Sequence, residues 1–189
     1  MRFLSAAFMA LLFPMLVQPP LVFGQARETK VFFLENARKK LWCAFTNEQA
    51  WKAAVQETDS MRVGAMIFSN NELSHIELTE EDESGDWAVN DQYFIDDHSR
   101  IIRLARVINV IPEDTSILES YSIRNGNATQ IQTTAKRLST GKPARVLSST
   151  LRPELPIETS LKAFPFSALL GTQKAKTIEK TCVDDGDSR

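Results

Sequence analysis

Three short polar turns, evenly set between apolar runs, constrain this chain more than any other feature in it. Asn70-Asn71 divides "VGAMIFSNNELSHIELT", Asp96 to Ser99 divides "WAVNDQYFIDDHSRIIRLARVINV", and Asn125-Gly126 divides "ILESYSIRNGNATQIQTTAKRL". Asn-Gly between such runs is the strongest short-range hairpin signal, because both residues accept positive φ, and Asn-Asn is a weaker form of it. The turn centres fall at 70.5, 97.5 and 125.5, so they lie 27 and then 28 residues apart. Three successive hairpins of one size predict an antiparallel β-meander of six or more strands over 63–138. Side chains match poorly between the units, so the period belongs to the meander rather than to an ancestral repeat.

The same spacing interprets Asp96-Asp97-His98, which on its own could pass for part of an active site. These residues and Ser99 occupy the slot that Asn-Asn and Asn-Gly fill in the neighbouring hairpins. Short polar side chains suit that slot because they bond to nearby backbone N–H groups. The expected role is a turn.

Ahead of the meander, residues 46–57, "TNEQAWKAAVQE", predict the main helix, N-terminal in the fold and packed on the sheet. Thr46 and Gln49 have capping-box spacing, Glu48 suits the positive end of the helix dipole, and Ala50, Trp51, Ala54 and Val55 form one apolar face. Trp51 reads as the anchor of that face. "KLWCAF" before it reads as a short strand, and 28–38 fits helix or strand equally. The expected fold class is therefore α+β.

After the meander, residues 141–165 contain four prolines, which exclude a central strand or a long helix. An extended segment crossing the sheet fits, because Val146, Leu147, Leu151, Leu155, Ile157, Leu161 and Phe164 need an apolar surface. Phe166 to Leu170 suits a helical turn, and 183–189 reads as a polar tail. Several central strands are apolar on both faces, whereas a sheet with one wet face alternates cleanly. The helix and the proline-rich segment are expected to cover the second face between them.

The chain opens with one Arg and then an apolar stretch, Phe3 to Val17, of signal-peptide length, with small residues at Gly24 and Ala26 suited to cleavage. The run is short for a membrane span and is broken by Pro14 and Pro19-Pro20. The expectation is a cleavable signal peptide over 1–26 and a single exported domain over 27–189, periplasmic or extracellular, with no transmembrane segment after cleavage. Past Arg2 the chain has 21 basic and 24 acidic side chains, a mildly acidic mixed surface that argues against nucleic-acid binding. The two cysteines, Cys43 and Cys182, form an even pair in an exported chain, which predicts a disulfide closing 139 residues.

No sequence pattern names a reaction. His75 and His98 are the only histidines, neither lies in a nucleophile motif, and phosphate loops and dinucleotide fingerprints are absent. No catalytic residue and no cofactor are assigned. A meander should gather the loops 80–86 and 112–115 at the edge opposite the tight turns, which makes Glu81, Asp82, Asp86 and Asp114 a candidate cation site such as calcium would use. Solvated turns are the plainer reading of those acids. Arg100, Arg103 and Arg106 form no single anion site, because Arg103 should point away from the other two. Asn127-Ala128-Thr129 is a glycosylation sequon that matters only in a eukaryotic source.

The function expected from these features is an exported binding or protein-interaction domain. An alternative is a carrier that holds a lipid or other small apolar ligand in a curled sheet, with a cavity lined by Met66, Phe68, Phe94, Ile102 or Leu104. A second alternative is a hydrolase built on the acidic edge. The partner or ligand, and the oligomeric state, are left open by the sequence.

Overall fold

A computed structural model describes residues 28–58, 60–146, 153–174 and 180–184. The expected signal peptide, Leu147, Leu151 and residues 185–189 lie outside them. The described residues form one nine-stranded antiparallel sheet with a single α-helix. The strands are β1 (Glu28–Asn36), β2 (Leu41–Phe45), β3 (Arg62–Ser69), β4 (Glu72–Glu81), β5 (Trp87–Ile95), β6 (Ile101–Val110), β7 (Thr115–Arg124), β8 (Asn127–Arg137) and β9 (Lys180–Asp184), and the helix is α1 (Glu48–Thr58). Across the sheet they run β8-β7-β6-β5-β4-β3-β1-β2-β9.

β3 to β8 are the predicted meander, in sequence order and joined at the three predicted turns. Asn70, Asn71, Ser99 and Asn125 take positive φ, as does Gly126, so the turn chemistry is the one the sequence signalled. The middle turn is closed by Asp96. Its Oδ1 accepts the backbone N–H of His98 (3.0 Å) and of Arg100 (2.9 Å), and its Oδ2 accepts Nε and Nη2 of Arg100 at 2.9 and 2.7 Å.

The region before the meander differs from its expected form in three ways. Residues 28–36 are strand, pairing with β2 on one side and β3 on the other. The helix is not at the N-terminus of the fold; it follows two strands. β2 and β3 both run antiparallel to β1, so they are parallel to each other, and joining parallel strands of one sheet requires a crossover, which α1 supplies. The cap is Asn47 rather than Thr46: its Oδ1 accepts the N–H groups of Gln49 (2.8 Å) and Ala50 (3.1 Å), so the helix starts one residue later than the capping-box spacing suggested.

The tail is also more ordered than its polarity implied. Val183 and Asp184 belong to β9, opposite Trp42 and Leu41. In the same ladder Cys43 faces Cys182 with Cα atoms 4.0 Å apart, and the two are disulfide-bonded. That separation suits a non-hydrogen-bonded antiparallel pair, where side chains approach most closely.

Strand parity gives the sheet two unlike faces. The inner face carries Phe33, Trp42, Met66, Phe68, Ile76, Tyr93 and Leu104. Residues 153–170, with 3₁₀ turns at Leu161–Ala163 and Ser167–Lys174, cross this face as a strap and press Phe164, Phe166 and Leu169 into it. Phe166 stacks its ring 4.2 Å from Phe33 and 5.0 Å from Trp42, and Phe164 meets Tyr93 edge-on at 5.0 Å. Gly64 lies opposite Phe33 in the ladder; a Cβ there would sit 2.5 Å from the Phe33 ring and 2.1 Å from the Glu77 carbonyl oxygen, so only glycine fits.

The outer face carries α1 at one end only. Trp51 stacks on Phe32 at 5.0 Å and donates its indole N–H to the Phe33 carbonyl (3.0 Å), with Leu34, Cys43, Phe45 and Val63 packed alongside. Helix and strap therefore cover opposite faces instead of sharing one. The crossover geometry decides this, because a β2-to-β3 connection on one side leaves the other side to the returning chain.

Candidate functional site

Charged residues on the inner face meet in one register row. Asp91 on β5 pairs with Arg106 on β6, and Arg106 pairs with Glu119 on β7. All three are buried, with 6%, 4% and 1% of their surface exposed. The row separates the aromatic cluster around Phe33 from a smaller aliphatic cluster of Val89, Ile108, Val110 and Ile117.

Arg106 grips Asp91 in a fork, Nε to Oδ1 at 2.8 Å and Nη2 to Oδ2 at 2.7 Å. Its remaining donors reach across to the strap, Nη1 to the Leu155 carbonyl (3.1 Å) and Nη2 to the Pro156 carbonyl (2.9 Å). A planar guanidinium can hold a carboxylate and two carbonyls at once, which an ammonium cannot match in geometry. Burial pulls the Arg106 pKa down, but the hydrogen bonds and charge of Asp91 outweigh it and leave it raised. Tyrosines from the adjoining row flank the charges. The Tyr121 hydroxyl donates to Glu119 at 2.8 Å, and Tyr93 lies 3.4 Å from Asp91. Burial, then the Asp91 charge, pushes the Tyr93 phenol well up, so it stays protonated. Half-burial raises the Glu158 carboxyl on the strap.

This row is a clasp: it fixes where the strap crosses the sheet. Sequence reasoning noted Arg106 and missed its use. The available signal was parity, since Asp91 and Arg106 both fall at core positions of strands that are otherwise apolar there.

The sequence candidates stand elsewhere. The loop 80–86 is tied to the residue just ahead of 112–115, the Ile111 N–H donating to the Asp86 carbonyl at 2.8 Å. The carboxylates of Asp82 and Asp114, however, are engaged by serines and backbone N–H groups. Asp82 accepts the Ser84 hydroxyl and the Trp87 N–H, which hold its pKa below the ordinary range. Asp114 accepts the Ser139 hydroxyl and N–H, both at 2.7 Å, and is lowered by Ser139 first and Arg137 after it. Among the described residues, the ligand atoms of Glu81, Asp82, Asp86 and Asp114 do not gather into a cluster; those of Asp96, Asp97 and His98 do, within 4.8 Å, and Asp96 there is engaged in closing its hairpin.

The five residues expected to line a ligand cavity are divided by the sheet. Met66, Phe68 and Leu104 lie in the filled inner core. Phe94 is on the outer face under Arg103, whose guanidinium carbon is 3.9 Å from the ring centre, and Ile102 is the extra residue of a β-bulge, 45% exposed. Arg103 does point away from Arg106, as alternation requires. A groove of about 410 Å³ opens at the turn end, between the second and third hairpins and the strap, lined by Arg100, Ile101, Ile123, Arg124 and Leu161 among others.

Beyond α1 the outer face is a different surface. From β4 to β8 its register rows read Glu81–Ala88–Asn109–Ser116–Lys136, Thr79–Asn90–Val107–Leu118–Thr134 and Glu77–Gln92–Ala105–Ser120–Gln132. Its nine central positions, on β5 to β7, carry no charge, and Leu118, in the middle row on β7, is 39% exposed. The free edge on β8 is defended: Ile131 sits in a bulge, and 142–144 fold back along 135–137 through a bridge from Lys136 to Pro143.

Fold and surfaces together define an antiparallel β-sheet protein with, among the described residues, one α-helix, and with a disulfide joining β2 to β9. Comparison with known protein families, with curated proteins and with solved structures finds no match to this chain. Among the described residues no helix is long and apolar enough to cross a membrane. The disulfide is compatible with export.

Proposed function

We propose that this chain is an exported domain that works by protein–protein contact, without chemistry of its own. One observation carries the reading: the buried charges and aromatic groups hold the strap against the inner face, while the outer face of β4 to β8 has no element packed on it among the described residues. Charge-poor central positions are what protein interfaces favour at their cores. The test is site-specific photo-crosslinking in the exporting cell. A photoreactive side chain at Asn90, exposed on the outer face, is expected to give discrete protein adducts, and one at Glu154, exposed on the strap, is expected to give none. Adducts at Glu154 alone would move the working surface to the strap side.

A second reading, the apolar-ligand carrier, draws on the nature of the strap. The inner core is completed by a segment of extended chain and 3₁₀ turns, not by a helix or a second sheet. Displacing it would open an apolar surface around Phe33, Met66 and Phe68. Native mass spectrometry without detergent separates the two readings: a dissociable organic mass supports the carrier, and bare protein supports the interaction domain.

A further inference from the structure

We infer that the partner of the outer face is a second copy of this chain, docked sheet to sheet about a two-fold axis parallel to the strands. This rests on the protein-contact reading above and gives that surface its occupant.

The argument is one of charge and register. Glu77 and Glu81 stand on β4, at one side of the face, and Lys136 stands on β8, at the other; all three are exposed. Glu81 and Lys136 are the two ends of a single register row. A two-fold axis lying between the faces, parallel to the strands and above β6, reverses strand order and keeps each row at its own level. It therefore sets β4 of one copy over β8 of the other, and Glu81 over the second copy's Lys136, twice by symmetry. An isologous contact must be self-complementary in this way, each patch meeting itself reversed. The next row puts uncharged Val107 on the axis and sets Leu118, one strand to its side, over the Asn90 position of the second copy. The one cation of β6 on this face, Arg103, is drawn aside over Phe94.

The size is sufficient. Five strands about 4.8 Å apart and about seven residues at 3.3 Å each give roughly 550 Å² of plan area per copy. Side-chain relief adds to that, which brings it into the range of a standard interface at about 800 Å² per partner. The result is a β-sandwich whose two sheets come from two chains, with the usual aligned packing about 10 Å apart. The helix lies clear of the contact, because α1 stands over β1 and β2.

The experiment is sedimentation of the full exported chain over about a hundredfold range of concentration, with charge swaps at exposed positions that leave the core untouched. The wild-type chain should pass reversibly from monomer to dimer. Glu81→Lys and Lys136→Glu should each weaken the dimer about tenfold, Leu118→Glu should abolish it, and the double swap should return the dimer to near its wild-type strength. A dimer indifferent to the swaps overturns this interface. So does a monomer at every concentration. In that second case the Asn90 crosslinker decides what else falls: an adduct with a different protein leaves the protein-contact reading standing, and no adduct removes both.

Discussion

The two faces of this sheet are built on opposite principles. The inner face is closed by the chain itself, with aromatic rings interleaved between sheet and strap and a buried ion pair fixing where the strap lies. The outer face is closed at one end by an amphipathic helix and left without a cover at the other among the described residues. Apolar burial supplies most of the stability on the inside, where each fully buried large side chain contributes roughly 2–3 kcal/mol. The outside contributes less burial and offers more surface. An antiparallel sheet can keep one face in water, so the open half needs no further cover to be stable, and it is this half that the proposed contact would use.

The largest expected effect concerns what holds the two ends of that construction together. Cys43 and Cys182 tie β2 to β9 across 139 residues. On the chain-entropy account, replacing both with serine should cost up to about 5 kcal/mol, read as a lower denaturant midpoint at constant slope. β9 is the short edge strand next to the strap's end, so amide exchange there should rise first. Loss confined to β9, with the global midpoint unchanged, would mean that the bridge fastens an edge and not the fold.

Next come the strap's own aromatic rings. Phe166 touches Phe33, Trp42 and Phe164 at ring-centre distances of 4.2, 5.0 and 4.9 Å. Phe166→Ala should destabilise by about 3–5 kcal/mol, the range for a buried Phe truncated to Ala. Trp51→Ala on the helix, half-buried, should cost less. If the order reversed, the inner face would not be the main source of stability, and the contrast between the faces would fail.

The clasp sharpens the comparison. Arg106→Ala leaves Asp91 buried without its partner, and an orphaned buried charge costs about 3–5 kcal/mol. Replacing the pair together by apolar residues of similar volume, Asp91→Leu with Arg106→Met, should recover most of that loss, short of all of it because Glu119 stays buried beside them. The strap would then have lost the donors that bind Leu155 and Pro156. Amide exchange along 153–160 should therefore increase in the double variant even if global stability holds. Unchanged exchange would show that the rings alone position the strap.

How much of this was legible in the sequence follows from the range over which each signal acts. The three hairpins were plain because Asn70-Asn71, Asp96 to Ser99 and Asn125-Gly126 act through their own backbone, within four residues. The disulfide was plain because the chain has only two cysteines. β1 was ambiguous because "VFFLEN" is apolar on both sides, and only its burial between β2 and β3 makes it a strand. The helix cap was misplaced by one residue because Thr46 and Asn47 are both competent caps by type, and the Asn47 side-chain carbonyl oxygen is the one that takes the Gln49 and Ala50 N–H groups. The Asp91–Arg106 clasp was not legible as such, since its partners are 15 residues apart and its carbonyl acceptors are about 50 residues downstream. The acidic loops misled for the opposite reason: their carboxylates are abundant in sequence, yet Asp82 is satisfied by Ser84 within its own turn and Asp114 by Ser139, 25 residues on.

The smallest effect belongs to the hairpin that neither face covers. The side-chain hydrogen bonds of Arg100, then the backbone N–H groups of Arg100 and His98 and last the Arg100 charge, bring the Asp96 carboxyl down to about 2. A carboxyl lowered on folding stabilises the fold above its unfolded value and ceases to do so as pH falls through the folded one. The contribution of Asp96 should therefore be fully present at neutral pH, shrink as pH falls below about 4, and be gone only once pH is below about 2. Carbon-detected NMR of the Asp96 side chain reads this directly, and Arg100→Gln should move the inflection upward because Arg100 is the largest cause of the shift. An inflection in the ordinary aspartate range in the wild-type chain would mean that the turn is open in solution. The register of β5 on β6 would then rest on the apolar inner face alone, which would widen the contrast between the two sides of the sheet.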